Sequence, residues 1–242
     1  MSDHALAARL ATEAGQLLLR VRENFSDAPT EVRKAAGDKH SHDFLIEELA
    51  DRRPADAVLS EEGVDDPARL SARRVWIVDP LDGTREFGEL GRDDWAVHVA
   101  LWQTGQLVAG AVALPAQRIT LATPDVAPPP KASTAPRVVV SRSRPPSIAL
   151  AVRDALGGTL IELGSAGAKV LSIVLGRADI YVHAGGQYEW DSAAPVAVAR
   201  AAGLHTSRID GGPLLYNQPN PSLPDLLVCR PGLVEAVLAV TA

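Results

Sequence analysis

Apolar residues recur at three- and four-residue steps through Leu6, Leu10, Ala14, Leu17, Val21 and Phe25, the period of a helix that buries one face. Ser2 or Asp3 stands where a cap for it belongs. A second helix is predicted from about Asp43 to Arg53, with Leu45 and Leu49 on one face and Pro54 ending it. The pattern then shortens. AVLSEE and RVWIVDP are apolar runs that each end in carboxylates, and they read as strands. From Trp95 to Ala122 the runs WAVHVALW, QLVAGAVAL and RITLAT are separated by TG and PAQ, the pattern of an antiparallel meander.

Residues 123–136, TPDVAPPPKASTAP, interrupt this pattern with proline and polar residues and mark a surface connection or boundary. Beyond it, strands and helices alternate: RVVVS, a helix near Ser147 to Leu156, TLIEL, a helix near Ala166 to Leu175, DIYVHA, a helix near Ala193 to Ala202, LLVCR and a last helix. Alternation of this kind predicts an α/β half. The fold class expected is therefore α/β (α+β). Residues 1–130 form an antiparallel-rich half holding the main acidic turns, and residues 131–242 form a βαβ-like half.

Composition narrows the function. A chain of 242 residues with 46% hydrophobic and 22% charged residues is long enough for one large domain or two closely packed halves. A net charge of -6 without a basic run gives no surface for tracking a nucleic-acid backbone. A small anion would need a few placed cations or bound metal ions to overcome that sign. The single cysteine, Cys229, excludes a disulfide framework and a multi-cysteine zinc site. MSDHALAARLATEAG lacks the basic and apolar regions of a secretory signal, and no window approaches the ~18 apolar residues of a membrane span. The expectation is a cytoplasmic protein without a membrane partner.

The chemistry concentrates in acidic turns. In DPLDGT, Pro80 fixes its own φ and withholds a donor, while Gly83 permits a sharp turn. Asp79 and Asp82 can then face one side, with the Leu81 carbonyl between them and Glu61 brought alongside from the end of a neighbouring strand. Such an all-oxygen set favours Mg²⁺ or Mn²⁺ over zinc. The alternatives at this level are a structural Asp-Pro turn for DPLDGT and a solvated acidic turn for Glu61 and Glu62. Asp191 in EWDSAAP precedes a helical run, as an N-cap or as a carboxylate aimed into a cleft. GSAGAK, Gly164 to Lys169, opens a helix whose free amides, Ser165 hydroxyl and Lys169 can receive an anion, or whose small residues simply allow close packing. His98 alternates with apolar residues in its strand and reads as a packing residue.

SEEG, WIVDPLDGTREF and WDSAAP, in this order, resemble the magnesium-dependent, lithium-sensitive phosphomonoesterases of the inositol monophosphatase and fructose-1,6-bisphosphatase superfamily. TREF after DPLDG, and GSAGAK before WDSAAP, are similar to the CysQ branch of 3'(2'),5'-bisphosphate nucleotidases. The resemblance implies a layered α-β-α-β-α sandwich with the active site between the halves. It implies two or three Mg²⁺ ions per site, with Mn²⁺ as a substitute, held by Glu61, Asp79, the Leu81 carbonyl, Asp82 and Asp191. Thr84 would orient the attacking water, with Asp43, or alternatively Asp38, as its partner.

The substrate implied is a bisphosphorylated nucleotide, 3'-phosphoadenosine 5'-phosphate or its phosphosulfate analogue, hydrolysed to AMP or its sulfate analogue in sulfur assimilation. An inositol-1-phosphate or fructose-1,6-bisphosphate phosphatase is the alternative. Substrate contacts are expected from Gly83, Thr84, Ser141, Arg142, Ser165, Lys169 and His183, with SRSR (Ser141 to Arg144) as a donor cluster or a solvated loop. Arg85 is expected to pair with Glu86. Tyr188 and Trp190 are aromatic candidates for stacking on adenine or, for Trp190, for core packing. Homodimerisation is an open expectation, because no apolar stripe in the sequence can be assigned to an interface.

Overall fold

In the computed structural model, which describes residues 1–131 and 135–242, the N-terminal periodicity becomes helix α1, Asp3–Asn24, capped by the Ser2 hydroxyl on the amide of Ala5. Residues 132–134, inside the proline-rich connection, lie outside the described residues. Helix α2 spans Thr30–Arg52 and so begins well before the Asp43 start expected from apolar spacing. Its buried positions, Arg33, Gly37, Ser41, Leu45 and Leu49, recur at every fourth residue, but the first three are polar or lack a side chain. The helical period is intact, while the hydrophobic signal covers only its second half.

The reason lies in what that face touches. Arg33 donates to the carbonyls of Phe25, Ser26 and Gly88, tying the α1–α2 connection to the chain beyond the acidic turn. The Ser41 hydroxyl donates to the Pro80 carbonyl at 2.7 Å. At Gly37 a Cβ would stand 2.6 Å from the Phe87 ring and 2.8 Å from Leu81. The first half of α2 is shaped to support the DPLDGT turn rather than to fill a core.

Strands β1 (Ala57–Ser60), β2 (Arg74–Asp82), β3 (Ala96–Gln103), β4 (Gln106–Leu114) and β5 (Ile119–Ala122) form one sheet in sequential order. β1 and β2 pair in parallel and the other neighbours are antiparallel, as the meander pattern predicts. The short helix α3 (Thr84–Gly88) follows β2 directly. In the second half, β6 (Arg137–Ser141), α4 (Ser147–Ala155), β7 (Thr159–Leu163), α5 (Ala166–Val174), β8 (Ile180–Ala184), α6 (Glu189–Ala201), β9 (His205–Ser207), β10 (Asp225–Cys229) and α7 (Val234–Thr241) follow in order. The second sheet runs β7-β6-β8-β10-β9, with β6 parallel to β7 and β8 and the remaining pairs antiparallel.

Among the described residues, three apolar cores stack these elements into layers. Leu6, Leu10, Leu18, Leu45 and Leu49 of α1 and α2 pack on Trp76, Val78 and Val99, the outward face of the first sheet. Val75, Ile77 and Ala100 on its other face join Leu171, Val196 and Val198 of α5 and α6, and Val139 and Tyr181 of the second sheet. Val138, Val140 and Val182 cover the far side against Ala149 and Val152 of α4 and Val237 of α7. The result is the α-β-α-β-α sandwich. Alternation along β2, with Val75 and Ile77 to one core and Trp76 and Val78 to the other, follows from the period of two in a strand buried on both faces. Because α6 packs directly on β2, β3 and β4, the C-terminal half contributes to the core beside the acidic turn.

Gly37 tests this packing. An alanine in mid-helix is favoured over glycine by about 1 kcal/mol, whereas overpacking a fully buried contact costs about 1–3 kcal/mol. Gly37→Ala should lower the midpoint of urea unfolding. A rise of the size set by helix propensity alone would contradict the close contact with Phe87 and Leu81.

Candidate active site

Residues three apart in a regular strand point to opposite faces, so Asp79 and Asp82 of β2 ought to diverge. They do not. Asp79 pairs with His98 of β3 while Asp82 pairs with Ala96, so one extra residue is inserted into β2 between them. The bulge resets the alternation. Pro80 sits inside it, where the missing N–H costs no ladder bond, and the Leu81 amide closes on Asp79 Oδ1 at 3.0 Å. Gly83 then turns the chain with φ +86°, and a Cβ there would come within 2.9 Å of Ser165. Both the left-handed backbone and the close approach require glycine at this position.

The bulge brings Asp79 and Asp82 together with Asp191, one carboxylate oxygen from each lying within 4.8 Å of the others. Asp191 is the third residue of α6, which starts four residues earlier than the predicted Ala193, and its carboxylate accepts the Tyr188 amide at 2.7 Å. It therefore closes the first turn of its helix while facing the other two acids. Glu61, just beyond β1, is exposed as a residue and is not one of the three acids that converge, although the charges of Asp191 and Asp82 act on it. The Leu81 carbonyl accepts the Thr84 hydroxyl at 3.1 Å.

The three aspartates are not electrostatically equivalent. Burial and the charge of Glu61 hold Asp79 well above the ordinary carboxylate range. Burial and then Asp82 push Asp191 up to about 6, and burial and then Asp191 push Glu61 up to about 7. Asp82 is lowered despite its burial, because His98, Lys169 and backbone amides favour its charged form. Its two oxygens accept the amides of Ala166 and Gly167 at 3.1 and 2.6 Å. The anion received by the N-terminus of α5 is thus Asp82 itself. His98 stands 3.1 Å from Asp82 through Nε2, and 3.1 Å from the Trp190 carbonyl through Nδ1.

Several expected substrate contacts are engaged elsewhere. Ser165 caps α5, its hydroxyl accepting the Ala168 amide at 2.9 Å. Lys169 is buried, donates to the Gly164 carbonyl and stands 5.4 Å from the centre of the Tyr181 ring. Arg142 pairs with Glu86 at 2.8 Å and Glu89 at 2.9 Å, so Glu86 is not the partner of Arg85. Asp43 faces outward and pairs with Lys39 at 2.7 Å. The acid near Thr84 is Asp38, whose Oδ1 accepts the hydroxyl at 3.3 Å. The two acids are five positions apart, and at 3.6 residues per turn they leave α2 in different directions. Asp38 is raised to about 6 by burial and then by Glu62. His183 is lowered to about 4 by burial and bonds to the Gly185 carbonyl at 2.6 Å, so its ring is neutral. Tyr188 and Trp190 stack on one another with ring centroids 4.7 Å apart, and Trp190 packs against the central core.

The residues that follow Asp82 in the chain open onto a cleft lined by Gly83, Thr84, Arg85, Glu86, Ser141 and Arg144. A second hollow continues from Ser141 and Arg144 to His183, Gly185 and Gly186. Arg85 and Arg144 are exposed, and among the described residues neither side chain is engaged by a carboxylate. Arg144 belongs to the SRSR cluster, but the sequence does not distinguish it from Arg142, which is neutralised by acids more than fifty positions away. His98 was also concealed, because a buried polar residue in an apolar strand has the pattern of simple packing.

Comparison with known proteins agrees with this architecture. The inositol monophosphatase family matches residues 3–240. The 3'-phosphoadenosine 5'-phosphate phosphatase of Mycobacterium leprae is 48% identical over 99% of this chain and 93% of that protein. The 3'(2'),5'-bisphosphate nucleotidase CysQ of Escherichia coli is 30% identical over 86% of this chain and 91% of its own. The crystal structure of CysQ from Bacteroides thetaiotaomicron superposes with a TM-score of 0.80 at 27% identity, covering 93% of this chain and 96% of that one.

The electrostatics predict how stability follows pH. Asp38, Asp79, Asp191 and Glu61 have folded pKa values above their unfolded ones. The folded state therefore binds more protons than the unfolded state between about pH 4 and 7, and stability falls as pH rises through that window. Asp82 works in the opposite sense below the ordinary carboxylate range, and the lowered imidazoles of His183 and His205 do so below the ordinary histidine range, so four raised carboxylates are set against two lowered imidazoles. In protein stripped of divalent ions, thermal scans should show Tm dropping by about 5 °C or more between pH 5 and pH 8. A Tm that rises over this interval would contradict the clustering of these acids.

Proposed function

This chain belongs to the inositol monophosphatase family, and from that premise we propose that it is a magnesium-dependent phosphomonoesterase that removes the 3'-phosphate of 3'-phosphoadenosine 5'-phosphate. The observation that carries the reading is the convergence of Asp79, Asp82 and Asp191, followed in the chain by the Gly83–Thr84 lining of a cleft whose Arg85 and Arg144 engage no carboxylate among the described residues. Buried carboxylates at this spacing must take up protons or meet cations. The donors are all oxygens, which suits Mg²⁺ or Mn²⁺. Glu61, Asp79, Asp82, Asp191 and the Leu81 carbonyl are the groups that would hold the ions. Bound there, divalent ions activate water and offset the charge of a phosphate during in-line displacement.

The chain's own residues arrange the remainder. The Thr84 hydroxyl has one proton and two neighbouring acceptors, Asp38 and the Leu81 carbonyl. Donation to Asp38 leaves the Thr84 oxygen free to accept from a water in the cleft and so to orient it for attack. Gly83 and Thr84 line the cleft, and their amides would receive phosphate oxygens. Arg144, with Arg85 nearby, receives the second phosphate, which a fixed fork of donors recognises in a way a simple sugar monophosphate cannot exploit. Ser141 and neutral His183 line the continuation of the cleft and offer hydrogen bonds to the nucleoside. The relatives named as acting on this nucleotide support the substrate, and a role in clearing a by-product of sulfate activation follows from it.

Phosphate release should be measured in parallel from 3'-phosphoadenosine 5'-phosphate, inositol-1-phosphate and fructose-1,6-bisphosphate, with and without Mg²⁺. The nucleotide should prevail in kcat/KM, and chelation should remove turnover. Preference for a sugar phosphate would overturn the substrate and keep the metal reading. Asp79→Asn should abolish turnover while raising the Tm of metal-free protein, since it removes a buried repelling charge. Wild-type turnover in this variant would end its assignment as a ligand.

Arg144→Ala separates the substrate from the chemistry. It should raise KM for the bisphosphorylated nucleotide about tenfold or more, the scale of a lost charge-assisted hydrogen bond. Any residual turnover of inositol-1-phosphate should be unchanged. An equal loss on both substrates would refute a role in recognising the second phosphate.

A further inference from the structure

We propose that His98 is a positioning residue that fixes the geometry between Asp82 and the first turn of α6, and thereby sets the affinity of the acidic cluster for divalent cations. The inference deepens the metal reading above and rests on it. His98 is fully buried on β3, directly across the ladder from Asp79. A buried polar ring is costly unless its nitrogens face partners; Nδ1 of His98 has a hydrogen-bonded one, while Nε2 meets Asp82 at ion-pair distance without hydrogen-bond alignment.

Nδ1 lies 3.1 Å from the Trp190 carbonyl. A carbonyl only accepts, so Nδ1 carries a hydrogen, and Nε2 must carry one as well to meet a charged carboxylate favourably. Trp190 immediately precedes Asp191, so this bond ties the ring to the helical turn that presents the third acid. On its other side, Nε2 lies 3.1 Å from Asp82 Oδ2, the same oxygen that accepts the Gly167 amide. A Cβ on Gly167 would stand only 2.2 Å from Nε2, so the glycine in GSAGAK admits the imidazole to this place. One rigid ring thus spans the distance from a carboxylate on β2 to a backbone carbonyl in α6, two elements contributed by different halves of the chain.

An apolar ring could fill this volume but could not orient either oxygen. Groups that orient metal-binding carboxylates change metal affinity by about 10- to 100-fold when removed. The test is calorimetric titration of Mg²⁺ into chelator-stripped protein, with thermal unfolding of the same metal-free samples, for wild type, His98→Phe, His98→Gln and His98→Asn. His98→Phe keeps a buried ring without nitrogens and should weaken Mg²⁺ binding about tenfold or more, while its metal-free protein retains a cooperative transition. His98→Gln can place an amide nitrogen near the Nε2 position and should recover part of the affinity.

Wild-type Mg²⁺ affinity in His98→Phe would overturn the inference and leave the metal reading intact. Failure of the wild type to bind Mg²⁺ would overturn both. If His98→Phe does not fold, the comparison of His98→Gln with His98→Asn decides, because Asn can reach only the Nδ1 position. Tighter binding by the Gln variant supports the contact with Asp82, and equal or weaker binding refutes it.

Discussion

Like charges brought into an apolar interior repel more strongly as the local dielectric falls, and this protein gathers the carboxylates of Asp79, Asp82 and Asp191 within 4.8 Å of one another. Their proximity opposes folding, so it persists only where the surrounding backbone leaves no easier arrangement. The extra residue in β2 supplies that constraint. It turns Asp82 to the same side as Asp79, with Pro80 inside the irregularity and Gly83 ending it in a left-handed conformation. The strand carrying them is buried on both faces, in two different apolar cores, and cannot rotate to separate the charges.

Other elements support that turn, each with a different device. α2 approaches it with Gly37 and Ser41, one giving clearance to Phe87 and Leu81 and the other bonding the Pro80 carbonyl. α5 points its first amides at Asp82 and keeps that carboxylate charged. α6 brings Asp191 from the far half of the chain, and the central core through which α6 packs on β2, β3 and β4 fixes its approach. Sheet packing, helix termini and strand irregularity converge on one group of oxygens, which is the basis for reading the group as a cation site.

Much of this order was legible in the chain. The periodicity of α1, the meander of β3 to β5 and the alternation beyond residue 137 follow from apolar spacing alone. The motifs DPLDGT and EWDSAAP identify the acids because proline, glycine and carboxylates occur there together. What escaped was long-range. The first half of α2 carries a buried face of Arg33, Gly37 and Ser41, which gives no apolar stripe to read. The choice between Asp38 and Asp43 depends on the phase of that helix. Arg142 and Arg144 differ by two positions, yet only the fold shows that Glu86 and Glu89 neutralise the first. Likewise, the sequence leaves GSAGAK open to an external anion or to close packing of small residues, and only the fold shows Asp82 on its amides.

The central claim is that the bulge in β2 exists to present oxygens to divalent cations. It is tested most directly by crystals grown with Mn²⁺ and measured at a wavelength where manganese scatters anomalously. The account predicts anomalous peaks in contact with the carboxylates of Asp79, Asp82 and Asp191, with Glu61 and the Leu81 carbonyl joining the coordination. Well-ordered crystals without a peak at these oxygens, or with manganese bound only elsewhere, would contradict it.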